Sequence, residues 1–156
     1  MSKVIAIANQ KGGVGKTTTA VNLSSCLAIK GKKVLIIDID PQGNTSSGLG
    51  VDKTGIDTSI YDVIINDVPI KDTLLQTKID NLLISPSNIQ LAGAEVELVS
   101  VISRETRLKY AIEPVRDEFD YIIIDCPPSL GLITVNALTS ADTILVPIQC
   151  EYYALE

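Results

Sequence analysis

Short runs of four or five consecutive apolar residues alternate along this chain with stretches in which apolar residues recur every three or four positions. Runs of the first kind show no polar alternation and read as strands buried on both faces; the second kind reads as helices with one apolar stripe. Val4–Ala8 is the first such strand. Thr17–Lys30 is a helix in which Ala20, Leu23, Leu27 and Ala28 share a face, ended by Lys30 and Gly31, and Val34–Ile37 is the second strand. A strand, helix, strand succession is a βαβ unit, whose crossover makes the two strands parallel. Leu82–Ser85 and Tyr121–Ile124 are further short strands. Between them, Thr45–Asp57 is rich in Ser, Gly and Thr and reads as a loop, while Ser59–Asn66 and Ile70–Gln76 read as short helices. Ser87 with Gln90 three residues later fits a capping box for a helix running to about Val99. Another helix starts near Arg104, and Pro114 kinks it or begins a separate final turn. The pattern predicts one α/β domain over residues 1–156, a mostly parallel twisted sheet flanked by helices on both faces.

The first strand runs directly into Lys11-Gly12-Gly13-Val14-Gly15-Lys16-Thr17-Thr18. Glycines at this density let successive backbone N–H groups turn inward onto phosphate oxygens, and the helix that follows adds the positive end of its dipole. In such a loop Lys16 reaches the terminal phosphates and the Thr17 hydroxyl ligates Mg²⁺. The bland alternative is a glycine-rich turn that happens to precede a helix. The six fixed positions of KGGxGKT recur by chance in a chain this long only about once in 10⁵. The expectation is therefore a P-loop NTPase fold.

The second strand ends in Asp38-Ile39-Asp40-Pro41-Gln42-Gly43-Asn44. Residues two apart on a strand point the same way, so Asp38 and Asp40 are expected at the C-terminal edge of the sheet, where α/β folds bind ligands. Two acids on an apolar strand are costly unless they face a cation or water. A role for Asp38 and Asp40 near Mg²⁺ and an attacking water is the economical reading; a pair of solvated loop acids is the competing one. The Tyr121–Ile124 strand also ends in an acid, Asp125, followed by Cys126-Pro127-Pro128-Ser129. Apolar strand then Asp matches the Walker B pattern, whose carboxylate holds Mg²⁺, usually through water.

Net charge is −6, which argues against a general nucleic-acid binder in the chain as given. Residues 1–33 hold six lysines and no acid, so the other 123 residues carry the remaining seven bases and all nineteen acids, a balance of −12. A cationic phosphate site in an acidic body accounts for that split. Aromatics are only 4% and the apolar material is Val, Ile, Leu and Ala, as a covered parallel sheet requires. No apolar run approaches the ~20 residues that span a bilayer, and Asn9-Gln10-Lys11 interrupts the N-terminal run too early for a signal peptide. Cys26, Cys126 and Cys150 form neither a disulfide framework nor a C-x-x-C pair, so a cytoplasmic location is expected. No histidine exists to activate Cys126, which reads as a packed thiol.

The loop departs from the usual G-x-x-x-x-G-K-[ST] pattern: Gln10 stands where the first Gly would be, and Lys11 is an extra cation. This form resembles the deviant Walker A loop of the ParA and MinD ATPases and of the nitrogenase iron protein. DIDPQGN, DCPPSLG, and Leu145–Gln149 followed by Glu151–Leu155 resemble ParA proteins of the Soj type more narrowly, so the resemblance covers essentially the whole chain. It implies a bacterial partitioning ATPase that binds ATP with Mg²⁺ and hydrolyses it slowly. It further implies a homodimer closed around ATP, in which Lys11 reaches the partner subunit's nucleotide, Lys16 holds phosphate and Asp40 orients the hydrolytic water. A ParB-type stimulating partner, non-specific DNA binding by the dimer and nucleoid association come from the same resemblance. ParA proteins continue for roughly another hundred residues by usual domain size, so the chain is expected to be an N-terminal portion lacking the base-recognising and DNA-binding part. The cysteine pattern of the iron proteins is not found. A membrane-recruited switch of MinD type and a small-molecule phosphotransferase with Asp40 as base remain as alternatives.

Overall fold

Six strands make a single sheet in the computed structural model, which describes residues 2–150, Lys53 by its backbone alone. They are β1 (Lys3–Ile7), β2 (Val34–Asp38), β3 (Leu75–Gln76), β4 (Leu82–Ser85), β5 (Tyr121–Asp125) and β6 (Thr143–Leu145). Their order is β3-β4-β2-β5-β1-β6; every neighbouring pair is parallel except β3 with β4. Six helices accompany them among the described residues: α1 (Lys16–Ile29), α2 (Asn44–Gly48), α3 (Ile60–Asn66), α4 (Leu91–Glu97), α5 (Arg107–Ile112) and α6 (Leu132–Ser140).

Because side chains alternate along a strand, each strand feeds both faces of the sheet. Val4, Ala6, Leu35, Ile37, Ile122 and Ile124 pack with α3, α4, α5 and α6. Ile7, Val34, Ile36, Ile84 and Ile123 pack with Ala20 and Ala28 of α1 on the opposite face. Burial on both sides explains why the strand runs lack polar alternation. The register aligns Ile7 with Asp125 and Asp38 with Asp125, so β1, β5 and β2 end level and two acids lie side by side at the C-terminal edge.

Several elements differ from the sequence expectation. Thr45–Asp57 is not all loop: α2 opens after Gly43, which sits at φ 62°, and Lys53–Gly55 makes a 3₁₀ turn. The α2 turn is held by tertiary bonds from Thr45 and Ser46 rather than by its own propensity. Ile70–Gln76 forms only a 3₁₀ turn over Ile70–Thr73 before Leu75 and Gln76 extend as β3 against Ile84 and Leu83. The Thr73 hydroxyl, bonded to the Ile70 carbonyl and paired with the Ser85 hydroxyl, ends the turn there. Ser87 caps nothing: its N–H donates to Ser46 Oγ, and Asn88 Oδ1 instead accepts from the Gln90 N–H, so the helix begins at Leu91. Pro114 does start a separate 3₁₀ turn, Glu113–Glu118, after α5. Neither α6 nor β6 was legible, because α6 is apolar around most of its circumference and β6 has only three residues. The resemblance carried by Glu151–Leu155 falls outside the described residues.

Candidate functional site

Gly13 and Gly15 in the loop between β1 and α1 adopt φ of 71° and 90°, a region that side-chain-bearing residues avoid. Gly15 is the N-cap of α1 and brings no side chain to its first N–H groups. A Cβ at Gly12, Gly13 or Gly15 would meet no protein atom within 4 Å, so this wall is open. Lys16 is only 7% exposed and its Nζ donates to the Lys11 carbonyl at 2.8 Å, which draws the ammonium across the loop. Gly12, Gly13, Gly15, Lys16, Thr17 and Thr18 line a cleft of about 450 Å³, closed on its other side by Asp40, Gln42, Asn44 and Pro128. Val14 is part of the loop backbone but not of that lining. Lys11 faces an adjoining hollow beside Leu130, Val146 and Ile148 rather than the cleft itself.

Beneath Thr17 lies Asp125, wholly buried at the end of β5. Thr17 Oγ1 donates to Asp125 Oδ2 at 2.8 Å, and Thr45 Oγ1 donates to the same oxygen at 2.7 Å. Asp125 Oδ1 is buried with no hydrogen-bond partner. Burial raises the pKa of this carboxyl; the two hydroxyls and Lys16 oppose the rise, and Asp40 adds to it. A carboxylate oxygen left bare in a dry site is costly unless a cation or its bound water completes it. Together with the Thr17 hydroxyl, an oxygen donor set of this kind fits Mg²⁺.

Asp38 differs from its expected place. It is absent from the lining of the cleft, whereas Asp40 is part of it. Both of its oxygens take protein donors: Oδ2 from the Ser46 N–H and hydroxyl at 2.8 and 2.7 Å, Oδ1 from the Asp40 N–H at 3.2 Å. Burial pushes its carboxyl up to about 6, with Asp125 adding to the rise and the Ser46 bonds restraining it. Strand direction alone put the two acids together; the turn after Ile39 separates them, leaving Asp40 in the cleft wall with its Oδ1 accepting from the Gln42 N–H. Cys126 is buried and its thiol is pushed up to about 12 by that burial and by Asp125, so no thiolate is present at neutral pH.

Residues that no local motif marked hold the cleft in shape. Gln149 Nε2 donates to the Gly13 carbonyl at 2.9 Å, and Asn9 is tied both to the Lys11 N–H and to the Pro147 carbonyl. Glu95 on α4 accepts from the N–H groups of Leu132 and Ile133, capping α6 from another helix and fixing the segment that carries Pro128. A Cβ at Gly131 would meet the Glu95 carboxylate, so a larger residue there displaces that side chain from its cap. The sequence signal for the Thr45 and Ser46 contacts was a hydroxyl-rich run after DIDPQG; Gln149 stands in the ParA-like Leu145–Gln149 run, which assigns it no contact, and Glu95 had no signal.

A family model described as an AAA domain matches residues 2–156. The chain is 60% identical to the sporulation initiation inhibitor protein Soj of Bacillus subtilis, over all of this chain and 62% of that protein. It is 54% identical to the chromosome partitioning protein ParA of Myxococcus xanthus, over all of this chain and 55% of that one. The chain belongs to the AAA-domain family and is similar over its whole length to the Soj and ParA proteins. Solved structures agree with this ParA/Soj-type P-loop fold. A plasmid partition protein from Borrelia burgdorferi matches with a TM-score of 0.87 at 32% identity, covering 99% of this chain and 68% of that one. A protein from Mycobacterium smegmatis described as cobyrinic acid a,c-diamide synthase, with bound ADP and magnesium, matches with a TM-score of 0.93 at 44% identity, over 97% and 61%. The chain spans less than two thirds of the length of the curated relatives named here.

Proposed function

We propose that this protein is an ATP-driven dimerisation switch of the chromosome or plasmid partitioning kind, binding ATP with Mg²⁺ and hydrolysing it slowly in the cytoplasm. The observation that carries the reading is the pairing of Thr17 with Asp125, whose second oxygen is buried and bare, directly under a glycine cleft that also holds Lys16 and Asp40. The relatives' names supply the biological setting, and the ADP and magnesium of the Mycobacterium smegmatis structure supply the ligand class.

In this reading the backbone of Gly12 to Thr18 cradles the phosphates and Lys16 neutralises the outermost of them. Thr17 and Asp125 hold Mg²⁺, which when bound offsets phosphate charge and aligns its oxygens. Asp40 accepts a hydrogen bond from the attacking water. Asp38, bonded to Ser46 and the Asp40 N–H, acts on the metal only indirectly, by shaping the loop between them. Lys11, set in the neighbouring hollow, serves the nucleotide of a second copy, as an arginine finger in trans does. Such a finger contributes about 10³ to 10⁵ in rate, so a lone subunit turns over very slowly. DNA binding and stimulation by a ParB-type partner are proposed for a protein of the relatives' full length.

One experiment tests the reading: phosphate release and sizing chromatography with ATP and Mg²⁺, on the wild type, Asp40→Ala and Lys11→Ala. The wild type is expected to release inorganic phosphate and to shift to a dimer. Asp40→Ala dimerises without turnover, and Lys11→Ala binds ATP yet stays monomeric. Full turnover in Asp40→Ala removes that residue from the chemistry, and a phosphorylated acceptor in place of inorganic phosphate supports the phosphotransferase reading instead.

A further inference from the structure

Two consecutive hydroxyls on α2 reach the two buried acids at the sheet edge. Thr45 Oγ1 donates to Asp125 Oδ2 and Ser46 Oγ donates to Asp38 Oδ2, each at 2.7 Å, and both residues are fully buried. Asp125 Oδ2 therefore accepts two hydrogen bonds, one from Thr17 and one from Thr45, while Oδ1 accepts none. These two donors are not equivalent. Thr17 stands in the cleft lining, where its lone pairs are available to a metal while its proton stays on Asp125. Thr45 is fully buried and, like Asp125 itself, is absent from that lining.

The torsion that orients a carboxylate plane is soft, so one hydroxyl leaves the Oδ1 direction loosely set. A second donor, 80 residues away in the chain and on a different element, fixes the plane. Thr45 also lies five residues after Asp40, at the far end of the turn whose Asp40, Gln42 and Asn44 form the cleft wall. We propose that Thr45 is a positioning residue for the metal end of the site: its hydroxyl clamps Asp125 so that Oδ1 faces the hydration shell of the Mg²⁺ held by Thr17, and the same bond ties the Asp40 turn to that carboxylate. The proposal rests on the reading of the cleft as a Mg²⁺–nucleotide site.

Partners that orient a metal ligand typically contribute 10- to 100-fold to metal affinity. The test is ADP binding followed by calorimetry, in EDTA and across a Mg²⁺ titration, with Mn²⁺ binding to the ADP complex read by electron paramagnetic resonance. Thr45→Val keeps the shape and deletes the donor; Thr45→Ala deletes it without a branched replacement, should the valine disturb folding. The Mg²⁺ and Mn²⁺ midpoints are expected to rise by about 10-fold or more in either variant, with ADP affinity in EDTA within about 2-fold of wild type. Thr45→Ser, which retains the hydroxyl, is expected to restore the midpoints. Unchanged midpoints in Thr45→Val and Thr45→Ala overturn the proposal, and so does an equal loss of ADP affinity with and without metal, which marks general damage. Wild-type protein that binds no ADP at any Mg²⁺ concentration overturns the nucleotide reading and this inference with it. Metal-dependent wild-type binding that survives unaltered in the variants overturns this inference alone.

Discussion

On the face of the sheet covered by α1, the helix sets Ala20, Ser24 and Ala28 against the strands, whereas the opposite face meets Ile60, Ile64, Leu91, Leu98, Leu108 and Ile112 from α3, α4, α5 and the turns beside them. Small residues allow close approach of a helix to a sheet, which holds the start of α1, and with it the phosphate loop, near the ends of β1 and β5. Large aliphatic residues bury more surface, at about 1.5–3 kcal/mol for each fully buried side chain. One face thus sets geometry and the other supplies most of the stability. The chemistry-bearing side chains of the cleft all lie at the sheet edge or on the α1 side.

If that division is real, the two faces can be damaged separately. Leu108→Ala, fully buried on the thick side, is expected to lower unfolding stability by about 2–5 kcal/mol in urea titrations while leaving the ATP affinity of the folded fraction unchanged. An affinity loss in step with stability would contradict the division. Lys16→Ala is expected to do the reverse, weakening ATP about 100-fold, or about 2.7 kcal/mol, in calorimetry. Its nucleotide-free stability should move by no more than about 1 kcal/mol, and a larger shift would make the loop part of the scaffold.

The remaining expected effect is on pH dependence. Asp38, pushed up to about 6 by burial, binds its proton more tightly folded than unfolded, so its contribution favours the folded chain at low pH and is lost as pH rises from about 4 to about 6. Asp38→Asn keeps an acceptor for Ser46 and removes the titration. The stability of the variant relative to wild type is expected to grow across that window in urea midpoints measured without nucleotide. A difference that stays flat from pH 4 to 7 rejects the assignment.

What could be read in advance follows the same division between local and distant causes. The shape of the glycine loop was legible because consecutive residues set it, with Gly13 and Gly15 at positive φ and Lys16 beside them. Asp125 was legible as an apolar strand ending in an acid. The part played by Asp38 was misread because strand alternation gives direction and says nothing of Ser46, which takes its charge eight residues later. The contacts of Thr45, Glu95 and Gln149 span 80, 37 and 136 residues, and no spacing within a short window encodes them. α2 and β3 were missed for a related reason: the hydrogen bonds of Thr45 and Ser46, and of Thr73 with Ser85, outweighed the local preference of their segments.

Because β1 lies between β5 and β6, its partners come late in synthesis: Val4 pairs with Ile122 and Ile5 with Thr143. A ribosome delivers the glycine loop first and the strands that flank β1 only later, at an interval on the order of ten seconds at ordinary elongation rates. During that interval Val4–Ile7 is an unpaired apolar strand, the kind of segment that chaperones shield and that aggregates when they do not. Nascent chains halted before Tyr121 thus carry the glycine loop without the strands that flank β1 in the sheet, however complete their signature motif.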